Sequence, residues 1–196
     1  MEILAPVIIV GCITYDIGSV SAAWFAARAR GIDLRMYGSG QLDFANAWMV
    51  LGDRVGALVF IADLLKAQLA LGFAWWMSDS PWIAALACVC VVLGEILPVF
   101  HGFRGGRGTA STSGALLAVS PLTLVICATV ALLFSALTGR RDHAELIAIV
   151  LMPGVAVFVG KGDTPLMILT FIITAMLVYK RRELVDELLG LNKDDE

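Results

Sequence analysis

The sequence predicts an all-α integral membrane protein. The expected fold is a compact seven-transmembrane-helix bundle with its N-terminus outside and its C-terminus cytoplasmic, forming a single domain over residues 1–196. Three observations carry this reading. Hydrophobic residues make up 59% of the chain and charged residues only 16%, against roughly a quarter charged in soluble domains, and the mean hydropathy is +0.86. The apolar residues gather in runs close to the roughly 20 residues that a helix needs to cross about 30 Å of hydrocarbon. Lys and Arg recur beside those runs, where they act as orientation signals.

The first run, Leu4 to Ala27, is too long for a signal-peptide core and has no basic stretch before it, so it is expected to stay as a span. Arg28, Arg30, Arg35 and Arg54 follow it and mark the cytoplasmic side, which puts the N-terminus outside. Val55 to Met77 and Trp82 to Phe100 carry the chain out and back through Ser78 to Pro81, which holds no basic residue. The next cytoplasmic segment, Gly102 to Gly108, carries Arg104 and Arg107. Thr109 to Thr138 is either one tilted helix or two short ones, because Pro121 after Ser120 removes a backbone bond near its middle. A single crossing would strand Arg140, Arg141 and the Lys180-Arg181-Arg182 cluster outside, whereas two crossings return both groups and leave only Lys161 outside. Two are therefore expected. Ala144 to Gly160 and Leu166 to Tyr179 complete the seven. Trp24, Trp75, Trp76 and Trp82 fall at span ends, as an aromatic belt does. The acidic tail, 183–196, is expected in the cytoplasm, with Leu184, Val185, Leu188 and Leu189 giving it an apolar face that extends the last helix.

Several classes of function are disfavoured. The net charge is −3, with the acidic residues crowded into the tail, so no nucleic-acid partner is expected. Cys12, Cys88, Cys90 and Cys127 all lie in apolar runs, where a thiol behaves as a small hydrophobe. No His stands at ligand spacing from them, so neither a disulfide framework nor a metal site is expected. His101 and His143 are the only histidines and lie far apart in sequence. Lipid-facing and protein-facing apolar positions look alike in such a chain, so no oligomeric state is assigned.

The polar residues that interrupt this pattern are the candidates for chemistry. Residues 102–108 read Gly-Phe-Arg-Gly-Gly-Arg-Gly before the helix start Thr109-Ala110-Ser111-Thr112. Glycines expose successive N–H groups, a helix start adds positive partial charge, and two arginines add forked donors, a combination suited to phosphate. The bland alternative is a basic loop resting on anionic lipid headgroups. Gly38-Ser39-Gly40, close after Arg35, frees the Ser39 hydroxyl to face a ligand, or is an ordinary turn. Asp63 and Lys66, at i and i+3 in an apolar helix, are either a structural ion pair or a substrate contact. Asp16 and Glu95 are further acids within spans, where the default reading is functional.

With these segments in place the chain resembles the bacterial acyl-phosphate:glycerol-3-phosphate acyltransferases, the PlsY family. The matching pieces are Tyr15-Asp16-Ile17-Gly18-Ser19, Gly31-Ile32-Asp33-Leu34-Arg35 with Gly38-Ser39-Gly40, Asn46 with Val50-Leu51-Gly52, and Asp63 with Lys66. They continue through Pro98-Val99-Phe100 and Phe103-Arg104-Gly105-Gly106-Arg107-Gly108 to Tyr179-Lys180 and Arg182-Glu183. The resemblance implies seven helices in a bacterial plasma membrane. It also implies transfer of a fatty acyl group from acyl phosphate to the 1-hydroxyl of glycerol 3-phosphate, giving lysophosphatidic acid without coenzyme A, metal or other cofactor. Carried over, it makes Ser39 and Arg35 catalytic. Gly38, Gly40, Asn46, Lys66, Arg104, Gly105, Gly106, Arg107, Gly108 and Arg182 become substrate-binding, with membrane lipids as surroundings.

The chain departs from the family pattern close to those residues. After Ser39-Gly40 the family continues Asn, a hydrophobic residue or Pro, Gly, Ala, Thr, Asn, where this chain has Gln41-Leu42-Asp43-Phe44-Ala45-Asn46. Glu95 stands for a His, Met49 for an Arg, and Arg181 and Leu184 for a His and an Asn. Asp43 in a pocket-lining position would repel an incoming phosphate. An altered paralog that uses another acceptor, or only binds phospholipid or acyl phosphate, is the alternative, and a small transporter lined by Asp63, Lys66 and Glu95 is a third reading.

Overall fold

The computed structural model describes residues 4–190, all of whose regular structure is helical. Residues 191–196, the end of the expected acidic tail, lie outside the described residues. The helices are α1 (Leu4–Ser19), α2 (Ala22–Arg28), α3 (Phe44–Leu51), α4 (Asp53–Met77), α5 (Pro81–Ile96), α6 (Thr109–Val119), α7 (Pro121–Thr138), α8 (Arg141–Gly160), α9 (Thr164–Lys180) and α10 (Arg182–Leu188). They divide into two compact units, one ending at Val119 and the other beginning at Ser120.

Among the described residues five segments are long and apolar enough to cross a membrane, and six if α9 and α10 are taken together. The chain is thus an all-α integral membrane protein. The expected break in Thr109–Thr138 falls between Val119 and Pro121, with Pro121 in the first turn of α7 and α6 an apolar helix of 11 residues. At 1.5 Å per residue α6 extends roughly 16 Å, short of the hydrocarbon thickness. The first run is also divided. Ser21 accepts a hydrogen bond from the Trp24 N–H and starts α2, because a short hydroxyl side chain satisfies a helix start better than continued helix would. The segment expected as plain loop between Arg28 and Arg54 folds into a 3₁₀ turn, Leu34–Met36, and helix α3.

In the first unit α1, α4 and α5 share a small core of Val10, Ala74, Ile83 and Ala87. Association within lipid rests on close packing, since tails solvate leucine as well as a neighbouring helix does. The α1–α5 crossing shows it: a Cβ on Gly18 would overlap the Val91 carbonyl, and one on Gly94 would overlap the Tyr15 carbonyl. A second cluster, Ala23, Ala27, Leu34, Leu42, Ala47 and Val59, ties α2, the 3₁₀ turn and α3 onto α4.

In the second unit α8 packs against both α7 and α9. Pro153 inside α8 has no N–H to give the Ile149 carbonyl, and Thr174 of α9 supplies the missing bond at 3.0 Å from Oγ1. The tail does not extend α9 in line, as the sequence suggested, but turns through 77° into α10. Arg181 at the turn is buried, donates to Glu145 at 2.8 Å, and leaves helical geometry at φ −108°. Anchoring that charge stops the helix. The most exposed apolar side chains of this unit include Leu132, Leu137 and Phe158.

Candidate active site

Asn46 organises the Ser39 turn. It is fully buried, and its amide nitrogen donates to the carbonyls of Leu34, Tyr37 and Gln41 at 3.2, 3.1 and 2.9 Å. Its Oδ1 accepts from the Ser39 N–H at 3.0 Å. A turn has no ladder to satisfy its backbone, so one buried amide takes that role. Gly38, at φ +59°, passes so close that a Cβ there would overlap the Asn46 Oδ1. The result is a Ser39 whose backbone is pinned while its side chain is exposed. Asn46 therefore acts on the turn from beneath it.

Arg35 lies beside this turn in a fork with Asp33, whose Oδ1 and Oδ2 accept from Nε at 3.0 and 3.2 Å and whose Oδ2 also accepts from Nη2 at 2.8 Å. Hydrogen bonds from the Arg35 side chain and backbone hold the Asp33 carboxyl down from 3.8 to about 2, and the same bonds raise the Arg35 guanidinium further.

The Gly/Arg-rich loop packs directly on α5 and the Ser39 segment. The Gly106 N–H donates to the Glu95 carbonyl at 3.0 Å, and a Cβ on Gly105 would overlap that same carbonyl. Tyr15 donates to the Leu97 carbonyl at 2.6 Å, and Ser19 Oγ accepts from the Val99 N–H at 3.4 Å, which anchors the turn at Pro98 before the loop. Gly105, Gly106 and Gly108 are buried, and Arg104 is exposed with no ion pair among the described residues. Arg107 meets Asp43, Nε to Oδ2 at 2.9 Å. The expected repulsion by Asp43 is thus corrected: its charge is matched by Arg107 and it caps α3 besides.

Beneath the loop lies a buried charge cluster. Lys66 Nζ stands 2.9 Å from Asp63 Oδ1 and 3.4 Å from Glu95 Oε2, and donates to the Val20 carbonyl at 3.3 Å, a group released by the α1–α2 break. Ser111 of α6 donates to Glu95. Glu95 thereby enters an ion-paired cluster.

Asp63 and Lys66 also line a cavity of about 700 Å³ between α2 and α4, walled by Val20, Phe25, Ala26, Leu58, Val59 and Ala62 and reaching Arg30, just beyond α2, and Val55 in the first turn of α4. Along α4 the lining spans residues 55–66, roughly 16 Å of helix.

One unit thus holds Arg35, Gly38, Ser39, Gly40, Asn46, Lys66 and the loop from Arg104 to Gly108. Arg182 belongs to the other unit, where its guanidinium lies 5.4 Å from the Tyr179 ring centroid. Two partnerships escaped the sequence reading. Asp43 three residues before Asn46 is a helix-start signature that was available, whereas the Ser111–Glu95 contact carries no local signal. Among the described residues no group of His, Cys, Asp and Glu is arranged to hold a metal.

A family model described as glycerol-3-phosphate acyltransferase matches residues 8–190. The chain is 33% identical to the glycerol-3-phosphate acyltransferase of Clostridioides difficile (strain 630), over 97% of this chain and 95% of that one. It is 32% identical to the protein of the same name from Bacillus subtilis (strain 168), over 87% of each. Among solved structures it is similar to PlsY (YgiH), an integral membrane glycerol 3-phosphate acyltransferase, in its glycerol 3-phosphate form. The TM-score is 0.86 at 29% identity, covering 95% of this chain and 94% of that one. The lysophosphatidic acid form of PlsY aligns with TM-score 0.84 at 28% identity, over 95% of this chain and 93% of that one.

Proposed function

The chain belongs to the glycerol-3-phosphate acyltransferase family, and from that premise we propose that it transfers a fatty acyl group from acyl phosphate to the 1-hydroxyl of glycerol 3-phosphate in the bacterial plasma membrane. The observation that carries this reading is that an apolar groove and the Gly/Arg-rich loop are linked through one buried charge cluster. Asp63 and Lys66 line the groove, and Lys66 pairs with Glu95, whose carbonyl receives the Gly106 N–H of the loop. An acyl chain needs an apolar trough, and its phosphate needs donors at one end of it.

Acyl phosphate brings its own leaving group. The hydroxyl oxygen attacks the acyl carbonyl, the phosphate oxygen leaves with the bonding electrons, and the hydroxyl proton passes to the released phosphate. The protein's work is then positioning and stabilisation of the transient oxyanion. Arg104 and the loop's remaining backbone N–H groups hold phosphate, the Gly106 N–H being engaged by the Glu95 carbonyl, while Arg35 in its fork with Asp33 adds a fixed cation and Ser39 presents its hydroxyl to the reacting oxygen from a pinned backbone.

Removal of one such donor typically costs about 10²–10³ in rate. Ser39→Ala is accordingly expected to lower lysophosphatidic acid formation by at least about a hundredfold in detergent-purified protein given palmitoyl phosphate and glycerol 3-phosphate. An unchanged rate would remove Ser39 from the mechanism, and no product from the wild type would refute the acyltransfer reading.

A further inference from the structure

Small side chains open the groove between α2 and α4. Its α2 wall includes Ala22, Ala26 and the C-cap residue Ala29, at i, i+4 and i+7, the spacing of one helix face. The α4 wall repeats that spacing in Val55, Val59 and Ala62. The charged residues of the lining, Arg30, Asp63 and Lys66, stand apart. Lys66 Nζ donates to the Val20 carbonyl at 3.3 Å, just before α2 starts. Arg30 Nη1 donates to the Leu51 carbonyl at 3.3 Å, just before α4 starts. The two walls therefore run antiparallel, with Ala22 toward Lys66 and Ala29 toward Arg30, and the lining between these charges is alanine, valine, leucine and phenylalanine.

From this arrangement we propose that the face made by Ala22, Ala26 and Ala29 measures the acyl chain of the donor, whose reacting head lies toward Lys66 and whose chain runs toward Arg30. The inference deepens the acyltransfer reading and takes the identity of the donor from it. The direction follows from the charges. Lys66 is tied through Glu95 to the Gly/Arg-rich loop, whereas Arg30 lies at the other end of the apolar lining. A volume of about 700 Å³ falls within the roughly 300–1,000 Å³ of small-molecule sites. The lining from Val55 to Lys66 covers roughly 16 Å of helix, and an extended alkyl chain advances about 1.3 Å per carbon, so about a dozen carbons fill it. Each methylene seated there gains packing contacts. A longer chain gains none and meets a guanidinium that is costly to desolvate.

Leucine fills such a face without breaking a helix, so Ala22→Leu, Ala26→Leu and Ala29→Leu place a stop at successive turns. Full-length wild type and each variant, in nanodiscs, receive glycerol 3-phosphate and one mixture of short to long saturated acyl phosphates, and the lysophosphatidic acids are resolved by mass. In the wild type, product is expected to rise with chain length to about a dozen carbons and then level off. Ala29→Leu should lower that limit by a few carbons, Ala26→Leu further and Ala22→Leu furthest, with about tenfold less product from donors just beyond each new limit. Competition within one mixture reads ratios, so a variant that is merely less active leaves the limit where it was. An unmoved limit overturns the proposal, as does the reverse order, which would put the head at Arg30. Ala26→Cys and Ala29→Cys in a background without native cysteines, carrying a disulfide-linked alkyl group added after purification, cover the case in which a leucine variant does not fold. Thermal stabilisation by n-alkyl phosphates of the same lengths needs no turnover. A wild type that makes no lysophosphatidic acid yet shows the graded limits in stabilisation refutes the acyltransfer reading and retains the measuring face. Absence of a length limit in both readouts overturns the inference itself.

Discussion

At the scale of single residues, Asn46, Arg35 and Lys66 of the site already have partners within the protein before any ligand is considered. Asn46 holds three carbonyls and the Ser39 N–H, a commitment that uses both of its amide hydrogens and ties down the Ser39 turn. Arg35 is committed to Asp33, and the consequence is measurable. The Asp33 carboxyl is held at about 2 instead of 3.8. A depressed carboxyl adds its stabilisation above the ordinary value and loses it as pH falls through the depressed one. The Asp33–Arg35 fork should therefore be fully formed above pH 3.8 and lost as pH falls toward about 2. A carboxyl-carbon NMR titration of Asp33 checks this: a midpoint near 2 is expected, and Arg35→Gln should return it toward 3.8. A midpoint already at the ordinary value in the wild type would mean the fork does not persist. The residues of this turn were legible in the sequence as Gly38-Ser39-Gly40. The role of Asn46 was not, because which carbonyls a buried amide reaches depends on how the turn closes.

At the scale of elements, two interruptions of a helix have partners that satisfy the exposed backbone, as lipid requires. Lys66 takes the Val20 carbonyl at the α1–α2 break, and Thr174 takes the Ile149 carbonyl opposite Pro153. The second pairing makes a clean test. Thr174→Val should lower stability by about 1 kcal/mol through the orphaned carbonyl. Where Pro153→Ala has restored the N–H, the same change should cost much less, a coupling read from thermal unfolding in detergent. Equal costs in both backgrounds would show that Thr174 does not serve the proline gap. Pro153 and Pro121 were both visible in the sequence, but only Pro121 ends a helix. Pro121 follows Ser120 and starts a new helix in its first turn, where a missing N–H costs nothing, whereas Pro153 sits mid-helix with a neighbour to repair it.

At the scale of the whole molecule, composition and the placement of basic residues fix membrane residence, and the helices follow the expected order from Leu4 to Leu188. The expected orientation is open to labelling. In a background without native cysteines, an impermeant maleimide should reach cysteines at positions 79 and 161 from outside and those at 140 and 187 only after the membrane is opened. Labelling of 140 and 187 from outside would mean that residues 109–138 cross once. The sequence by itself determined what is local: apolar runs long enough to span, a proline and a serine that break one of them, and a loop in which glycine and arginine alternate. These depend on chain stiffness, helix rise and side-chain polarity, which are properties of neighbouring residues. Only the tertiary structure decided which acid answers which base. Asp43 reads in sequence as a charge hostile to phosphate, and Glu95 as a lone acid in a span. Folding brings Arg107 to the first, and Lys66 with Ser111 to the second. A charge is costly or useful according to what lies within a few ångströms of it, and for these residues that neighbour comes from a distant part of the chain.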